Sequence, residues 1–273
     1  MSLVLYHHGG STCAAKVRFC LAEKQIKWQG KYLDILKGDQ FDPEYLQLNP
    51  KAVVPTLVHN GHVIVESTVI NDYLEDVFTD ISLTPKDPVA KARMRLWLKA
   101  LDEYIHPNFA EVNFSSCLRN VILRGTQEQV NTFLDSTPQD SITPQWHDRK
   151  KELVRMGFDT PGIAHTYGVF NRYLTKMERA LSEHQWLAGD SFSLADVGLA
   201  PYIRWLSMLN MDEWWEADKP GVTRWINRIK AMPTFQESVT RWIPDDIQAD
   251  FGDIGTKTWP GVKKVLSQSG ITL

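Results

Sequence analysis

The sequence predicts two units in tandem: an α/β domain over residues 1–80 and an all-helical domain over 88–273, joined by a linker at 81–87. Three observations carry this. The first stretch alternates short apolar runs with helical patterns, as a layered sheet-and-helix domain does. Residues 79–88, TDISLTPKDP, then interrupt it with two prolines between turn-forming polar clusters. Beyond them, every strong apolar pattern repeats at helical spacing.

Within the first unit, Leu3-Val4-Leu5-Tyr6 makes a short apolar strand. Gly9-Gly10 follows it, and Val17, Cys20, Leu21 and Lys24 give the next segment a helical pattern, with Cys20 expected in the core. Trp28–Ile35 predicts a second strand, and Pro43–Leu48 a short helix before the turn-like Asn49-Pro50. Residues 53–58 and 63–65 are two more strands, joined by Asn60-Gly61, a strong tight-hairpin signal. Glu66-Ser67 opens a helix with an apolar face of Val69, Ile70, Tyr73, Leu74 and Val77. The order is βαβ, then ββα.

In the second unit, Met94, Trp97, Leu98, Leu101, Tyr104 and Ile105 form one stripe, ended at Pro107. Phe170, Tyr173, Leu174, Met177 and Leu181 form another. Ser193 and Asp196 have N-cap spacing, with Phe192 and Val197 placed to staple the start of the helix. Asp196 is therefore expected to matter for folding and not for chemistry. Trp225, Ile226, Ile229 and Met232 make a further stripe, stopped by Pro233. Residues 116–160 are irregular and rich in Ser, Thr, Gln and Pro, either a cover over a pocket or a surface loop. The same two readings apply to the tail from Pro244.

Composition narrows the function. A formal charge of −3 argues against a phosphate-binding surface, so no nucleic-acid partner is expected. The run Arg149-Lys150-Lys151 then reads as a solvated helix face. No uncharged apolar stretch approaches the ~18 residues of a membrane span, and MSLVLYHHGG lacks the basic start and apolar run of a signal peptide. Cys13, Cys20 and Cys117 show no CxxC or Cys/His metal spacing, so a cytoplasmic protein without metal or structural disulfide is expected. Tryptophan is unusually frequent, and Trp205, Trp214, Trp215 and Trp225 predict large aromatic contacts, core first and ligand pocket second.

Four stretches, in order, resemble the glutathione S-transferase family. STCAAKVRFCL at residues 11–21 is similar to the SSCxxRVRxxL signature of its zeta class, and NPKAVVPTL at 49–57 to its NPxxxVPxL. ESTVINDYLED at 66–76 resembles the ESxxIxxYL start of its third helix, and FSLADV at 192–197 its SxAD capping segment. The resemblance is specific over 3–85, weaker over 165–240, and fades in 107–160 and after 244. Within the family, NGHVIVESTVINDYLEDVF is most similar to bacterial enzymes that cleave aryl ethers in lignin fragments. The resemblance implies a thioredoxin-like first domain, glutathione as co-substrate, a homodimer, and a hydrophobic second substrate held between the domains.

Glutathione brings its own nucleophile, the thiolate. A thiol of pKa ~8.5 is only about 3% ionised at pH 7. Lowering it by roughly two units raises the thiolate about 25-fold, but with a Brønsted slope of ~0.45 the weaker nucleophile returns about eightfold of that. The net gain is about threefold, so positioning must contribute more than ionisation. A helix start supplies both, through free N–H groups and a hydroxyl that donates to sulfur.

Ser11, directly after Gly9-Gly10, is the candidate for that hydroxyl, or else simply an N-cap. The resemblance favours chemistry, because the activating residue lies five before the basic residue of the first helix, here Lys16. Cys13 and Thr12 are the alternatives: a reactive or pocket-lining thiol, and a substitute donor.

The resemblance further implies that a cis Val54-Pro55 bond presents Val54 to the cysteinyl part of glutathione, against an ordinary proline at an edge strand. Glu66 and Ser67 would hold the γ-glutamyl ammonium and carboxylate, or only cap their helix. Gln40 and Lys37 are candidates for the glycyl end. His8, Tyr104, Asn108 and Trp205 are candidates for the second-substrate pocket, while His106 is expected as a hydrogen-bonded structural histidine.

The sequence thus predicts a glutathione transferase acting on an aromatic or other hydrophobic electrophile, an aryl ether among them. The competing functions are a glutathione-dependent isomerase of the zeta kind, a disulfide reductase or lyase built on Cys13, and a non-catalytic binder of hydrophobic ligands.

Overall fold

The computed structural model describes residues 2–271; residues 1, 272 and 273, the outermost of the two expected domains, lie outside it. β1 (Leu3–His7), α1 (Thr12–Glu23) and β2 (Gln29–Tyr32) form a parallel βαβ unit. α2 (Pro43–Leu48) follows, then the hairpin of β3 (Thr56–His59) and β4 (His62–Val65), and α3 (Ser67–Val77). The sheet order is β2-β1-β3-β4, antiparallel except between β1 and β2. The register sets Leu5 opposite Leu57, and both are fully buried. Asn60 and Gly61 take φ of 50° and 85°, as a two-residue hairpin turn requires.

Two strands are shorter than their apolar runs. β2 stops at Tyr32 because Leu33 and Ile35 leave the sheet to pack with Ala14, Tyr45 and Val54. β3 starts only at Thr56 because Pro55 has no N–H to give the ladder. On α3 the expected apolar face is split: Ile70 and Leu74 are buried, whereas Val69 and Val77 face outward.

α1 holds the two domains together. It packs on α3 and, in the helical domain, on α10 (Leu194–Met208) and α13 (Pro233–Ser238). Its middle is therefore buried all round, Lys16, Arg18 and Cys20 included. At its end Lys24 makes a buried ion pair with Glu75 at 2.5 Å.

The helical domain opens with one long helix that keeps going through the expected stop at Pro107. α4 (Pro88–Ala100), a wide π-turn at Leu101–Ile105, α5 (His106–Asn113), a second π-turn at Phe114–Leu118 and α6 (Arg119–Ile122) run end to end. In the first wide turn the His106 N–H reaches back five residues to the Leu101 carbonyl. Pro107 then sits in the opening turn of a new segment, where its missing N–H is not needed.

Residues 116–160 contain α7 (Gln127–Asp135) and α8 (Trp146–Met156), and the Ser141 hydroxyl between them donates to the Lys51 carbonyl at 2.8 Å. The segment is a cover, latched to the first domain. The basic run on α8 is not a solvated face: Arg149 pairs with Glu111, Lys151 with Asp135, and Lys150 is buried between them. α9 (Ile163–Glu183), α11 (Glu213–Glu216) and α12 (Pro220–Lys230) complete the bundle. The tail from Pro244 is α14 (Asp245–Gln268), whose Phe251, Ile254, Trp259 and Val262 join the core. Trp205, Trp214, Trp215 and Trp225 are all core residues. Among the described residues no helix is long and apolar enough to cross a membrane.

Candidate active site

A cleft of about 270 Å³ opens between the domains at the start of α1. One wall is Gly10 to Cys13 with Lys16, the turn at 51–55, Glu66, Ser67 and Gln40; the other comes from the long helix and the cover. The chain reaches this geometry because Gly9 and Gly10 let β1 turn sharply into α1, and Ser11 in extended conformation caps the helix.

Ser11 Oγ accepts the Ala14 N–H at 3.2 Å, which leaves its proton for donation. The Val54 carbonyl, 3.5 Å away, is a long contact for that proton. Val54-Pro55 is cis, and both residues line the cleft with Ser11 and Thr12. Glu66 sits at φ 67° before α3 and pairs with Lys51 at 2.8 Å; Ser67 opens the helix beside it. Gln40 donates to the Ile35 carbonyl at 3.1 Å, while its buried Oε1 has no partner among the described residues. Lys37 stands apart: its side chain is 81% exposed, paired with Asp34 and outside the cleft.

Four expected pocket residues lie elsewhere. His8 accepts the Gly10 N–H at 3.1 Å, packs on Tyr32 and does not line the cleft. The first π-turn rotates Tyr104 to the surface, where it stacks on Tyr173, and Asn108 bonds back to the Tyr104 carbonyl. Trp205 is buried and donates to Asn113 at 2.9 Å. In their place Asp102, His106, Phe109, Asn113 and Phe114 face the cleft. A straight helix read from the sequence gives the wrong phase for this wall.

Cys13 carries a thiol held below its ordinary range. Its Sγ lies 3.6 Å from His106 Nδ1 and 3.7 Å from the Tyr202 hydroxyl, which itself bonds His106 at 3.1 Å. Burial alone would raise the thiol, but His106, the Lys16 ammonium and the His106 and Tyr202 hydrogen bonds outweigh it and bring it down to about 6. Burial beside Cys13 pushes the Tyr202 phenol up. His106 is thus both hydrogen-bonded and part of the site. Its distance from Cys13 in sequence leaves no motif, and the pairing appears only in the fold.

Cys13 is therefore expected to react with iodoacetamide at a rate that climbs through about pH 6 and is level by neutrality. Cys20 and Cys117 are buried, their thiols pushed up, and should stay unlabelled in the folded protein. Mass spectrometry of digests across pH checks this. A midpoint near the ordinary cysteine value of about 8.5 would show that Cys13 is not activated.

A four-stranded mixed sheet docked on a helical bundle, with a helix start opening on an interdomain cleft, defines the architectural class that the sequence predicts. Comparison with known proteins makes the class specific. The glutathione S-transferase N-terminal domain matches residues 10–77 and its C-terminal domain residues 144–228. Glutathione S-transferase 1 of Dianthus caryophyllus is 30% identical over 201 residues, covering 73% of this chain and 75% of that one. Protein LigF of Sphingobium sp. strain SYK-6 is 27% identical over 253 residues, covering 90% and 96%. The crystal structure of that beta-etherase superposes with a TM-score of 0.78 over 88% of this chain and 100% of its own. The tetrachloro-p-hydroquinone reductive dehalogenase of Sphingobium chlorophenolicum is 27% identical over 237 residues, covering 85% and 93%. The chain belongs to the glutathione S-transferase family, whose co-substrate is glutathione, and is an enzyme of that class.

Proposed function

We propose that the enzyme binds glutathione at the start of α1 and directs its thiolate at an electrophilic carbon of an aromatic substrate, an aryl ether foremost. One observation carries this: Ser11 and the free N–H groups of α1 share a single cleft with Phe109, Phe114, Phe133 and Trp146. A polar anion site facing an aromatic wall suits a thiolate attacking an arene-bearing carbon. The Ser11 proton, held only by the long contact to Val54, is free to stabilise the sulfur. Val54 and Pro55 would flank the cysteinyl part, Glu66 and Ser67 the γ-glutamyl end, and Gln40, with its unpartnered Oε1, the glycyl end. The likeness to a beta-etherase supports the ether.

A cytoplasmic homodimer is part of the proposal. The low-lying Cys13 thiol suits a reducing compartment. Val63, Val69, Val89 and Leu96, exposed on β4, α3 and α4, suit a self-association surface.

A second reading is favoured by the Cys13–His106–Tyr202 cluster, in which a protein thiolate does thiol–disulfide or lyase chemistry. Alanine at Ser11 and at Cys13 separates the two. Ser11→Ala should raise the pKa of bound glutathione and lower kcat/KM for an aryl electrophile about tenfold, roughly threefold of it from ionisation and the rest from positioning. It should also cost about 1 kcal/mol of stability as a lost cap. Cys13→Ala should cost less activity. If Ser11→Ala alters neither quantity and Cys13→Ala abolishes turnover, the protein thiol is the reactive group.

A further inference from the structure

We propose that Lys150 is a specificity residue, an ammonium at the aromatic end of the cleft that anchors a carboxylate on the second substrate. The enzyme would then select aromatic acids over neutral arenes. Calling that ligand the second substrate rests on the transferase reading; the anion site itself does not.

Lys150 lies on α8 and is only 5% exposed, yet it lines the cleft. Its Nζ donates to the Thr137 hydroxyl at 2.8 Å and sits 4.1 Å from the centre of the Phe133 ring and 5.6 Å from that of Phe114. Among the described residues it makes no ion pair, although Arg149 and Lys151 on either side both find carboxylates. A lysine taken out of water without a counter-charge is costly, and burial draws its ammonium down to about 7. Rings and one hydroxyl satisfy part of the group, and the residue lines the cavity with its other donors unmatched by any carboxylate among the described residues. The missing element is a negative charge, which a ligand can supply.

The chemistry narrows that ligand. One ammonium beside one hydroxyl balances a single negative charge, as a carboxylate carries, better than a phosphate of about two. Phe114, Phe133 and Trp146 around it suit a flat aromatic body. A carboxylate held by a desolvated cation is among the stronger hydrogen-bonded pairs.

Calorimetry with para-phenoxybenzoate and its carboxamide, in the absence of glutathione, tests this on wild type and Lys150→Met. Wild type should bind the acid at least about tenfold more tightly than the amide, and Lys150→Met should erase the difference. Equal affinities in wild type, or a preference that survives in the variant, overturns the proposal. The wild-type comparison needs no variant to fold. Lys150→Met should also melt no lower than wild type, because it removes an unpaired buried charge. Turnover with glutathione by wild type of chlorodinitrobenzene or of 4-chloro-3,5-dinitrobenzoate, one neutral and one acidic arene, tests the transferase reading separately, so the two can fail independently.

Discussion

Replacing Asp196 with alanine is expected to cost about 4 kcal/mol, the largest stability loss of any change considered. The carboxylate is fully buried at the start of α10 and accepts four hydrogen bonds. Oδ1 takes the Leu187 N–H at 3.0 Å and the Trp225 indole N–H at 2.9 Å. Oδ2 takes the Ser193 N–H at 3.0 Å and its hydroxyl at 3.1 Å. Burial pushes the carboxyl up to about 6, against the pull of those four donors. Alanine strands all four where no water reaches. It also cuts the tie between the loop before α10 and the tryptophan of α12, so the loss is not that of a cap alone. Asp196→Asn should lose less, since its carbonyl still serves two donors. Urea midpoints of the three proteins measure this; a loss under about 1 kcal/mol for alanine would mean the network holds nothing.

Gly9→Ala is expected to cost about 3 kcal/mol and to weaken glutathione binding more than tenfold. An added Cβ would lie 2.1 Å from the Trp242 carbonyl oxygen and 3.1 Å from its carbon. Both are backbone atoms, so no rotamer change relieves the clash. The glycine carbonyl is also fixed, because Arg18 donates to it at 3.2 Å while holding the His8 and Ser238 carbonyls at 3.0 and 2.8 Å. The loop must move, and Gly10 and Ser11 move with it. A melting scan with a glutathione titration reads both effects. Retained affinity with lowered stability would show that the start of α1 is set independently of the loop.

These two residues also mark what was legible in the sequence. Asp196 was readable as a cap from its spacing to Ser193, because capping is local. The inter-element bond to Trp225 was not. Gly9 was readable as a break after a strand, but its contact with Trp242 depends on how the domains meet. The sheet and its hairpin came through because strand alternation and Asn60-Gly61 are short-range signals. The wall of the cleft did not, since the π-turns shift its helical phase and carry Tyr104 and Asn108 off the expected face. Helix α14 was missed because its apolar residues are interrupted by Gly252, Gly255, Pro260 and Gly261. Lys150 looked like part of a solvated run with Arg149 and Lys151 because sequence adjacency says nothing of which side of a helix meets a cavity or which residue finds a carboxylate.

The two wide turns in the long helix have a consequence for how such a chain changes over generations. Each absorbs one surplus residue locally, so the helix on either side keeps regular α geometry. Losing that residue at 101–105 or 114–118 would change which side chain lines the cleft, Asp102 or Phe114 today. It would leave the helix beyond pointing as before. Chain length and side-chain direction are uncoupled at those two places, so a single-codon deletion at 114–118 offers a route to new substrate shapes, whereas one at 101–105 also reaches the first domain, where Asp102 accepts the Thr68 hydroxyl at 2.8 Å.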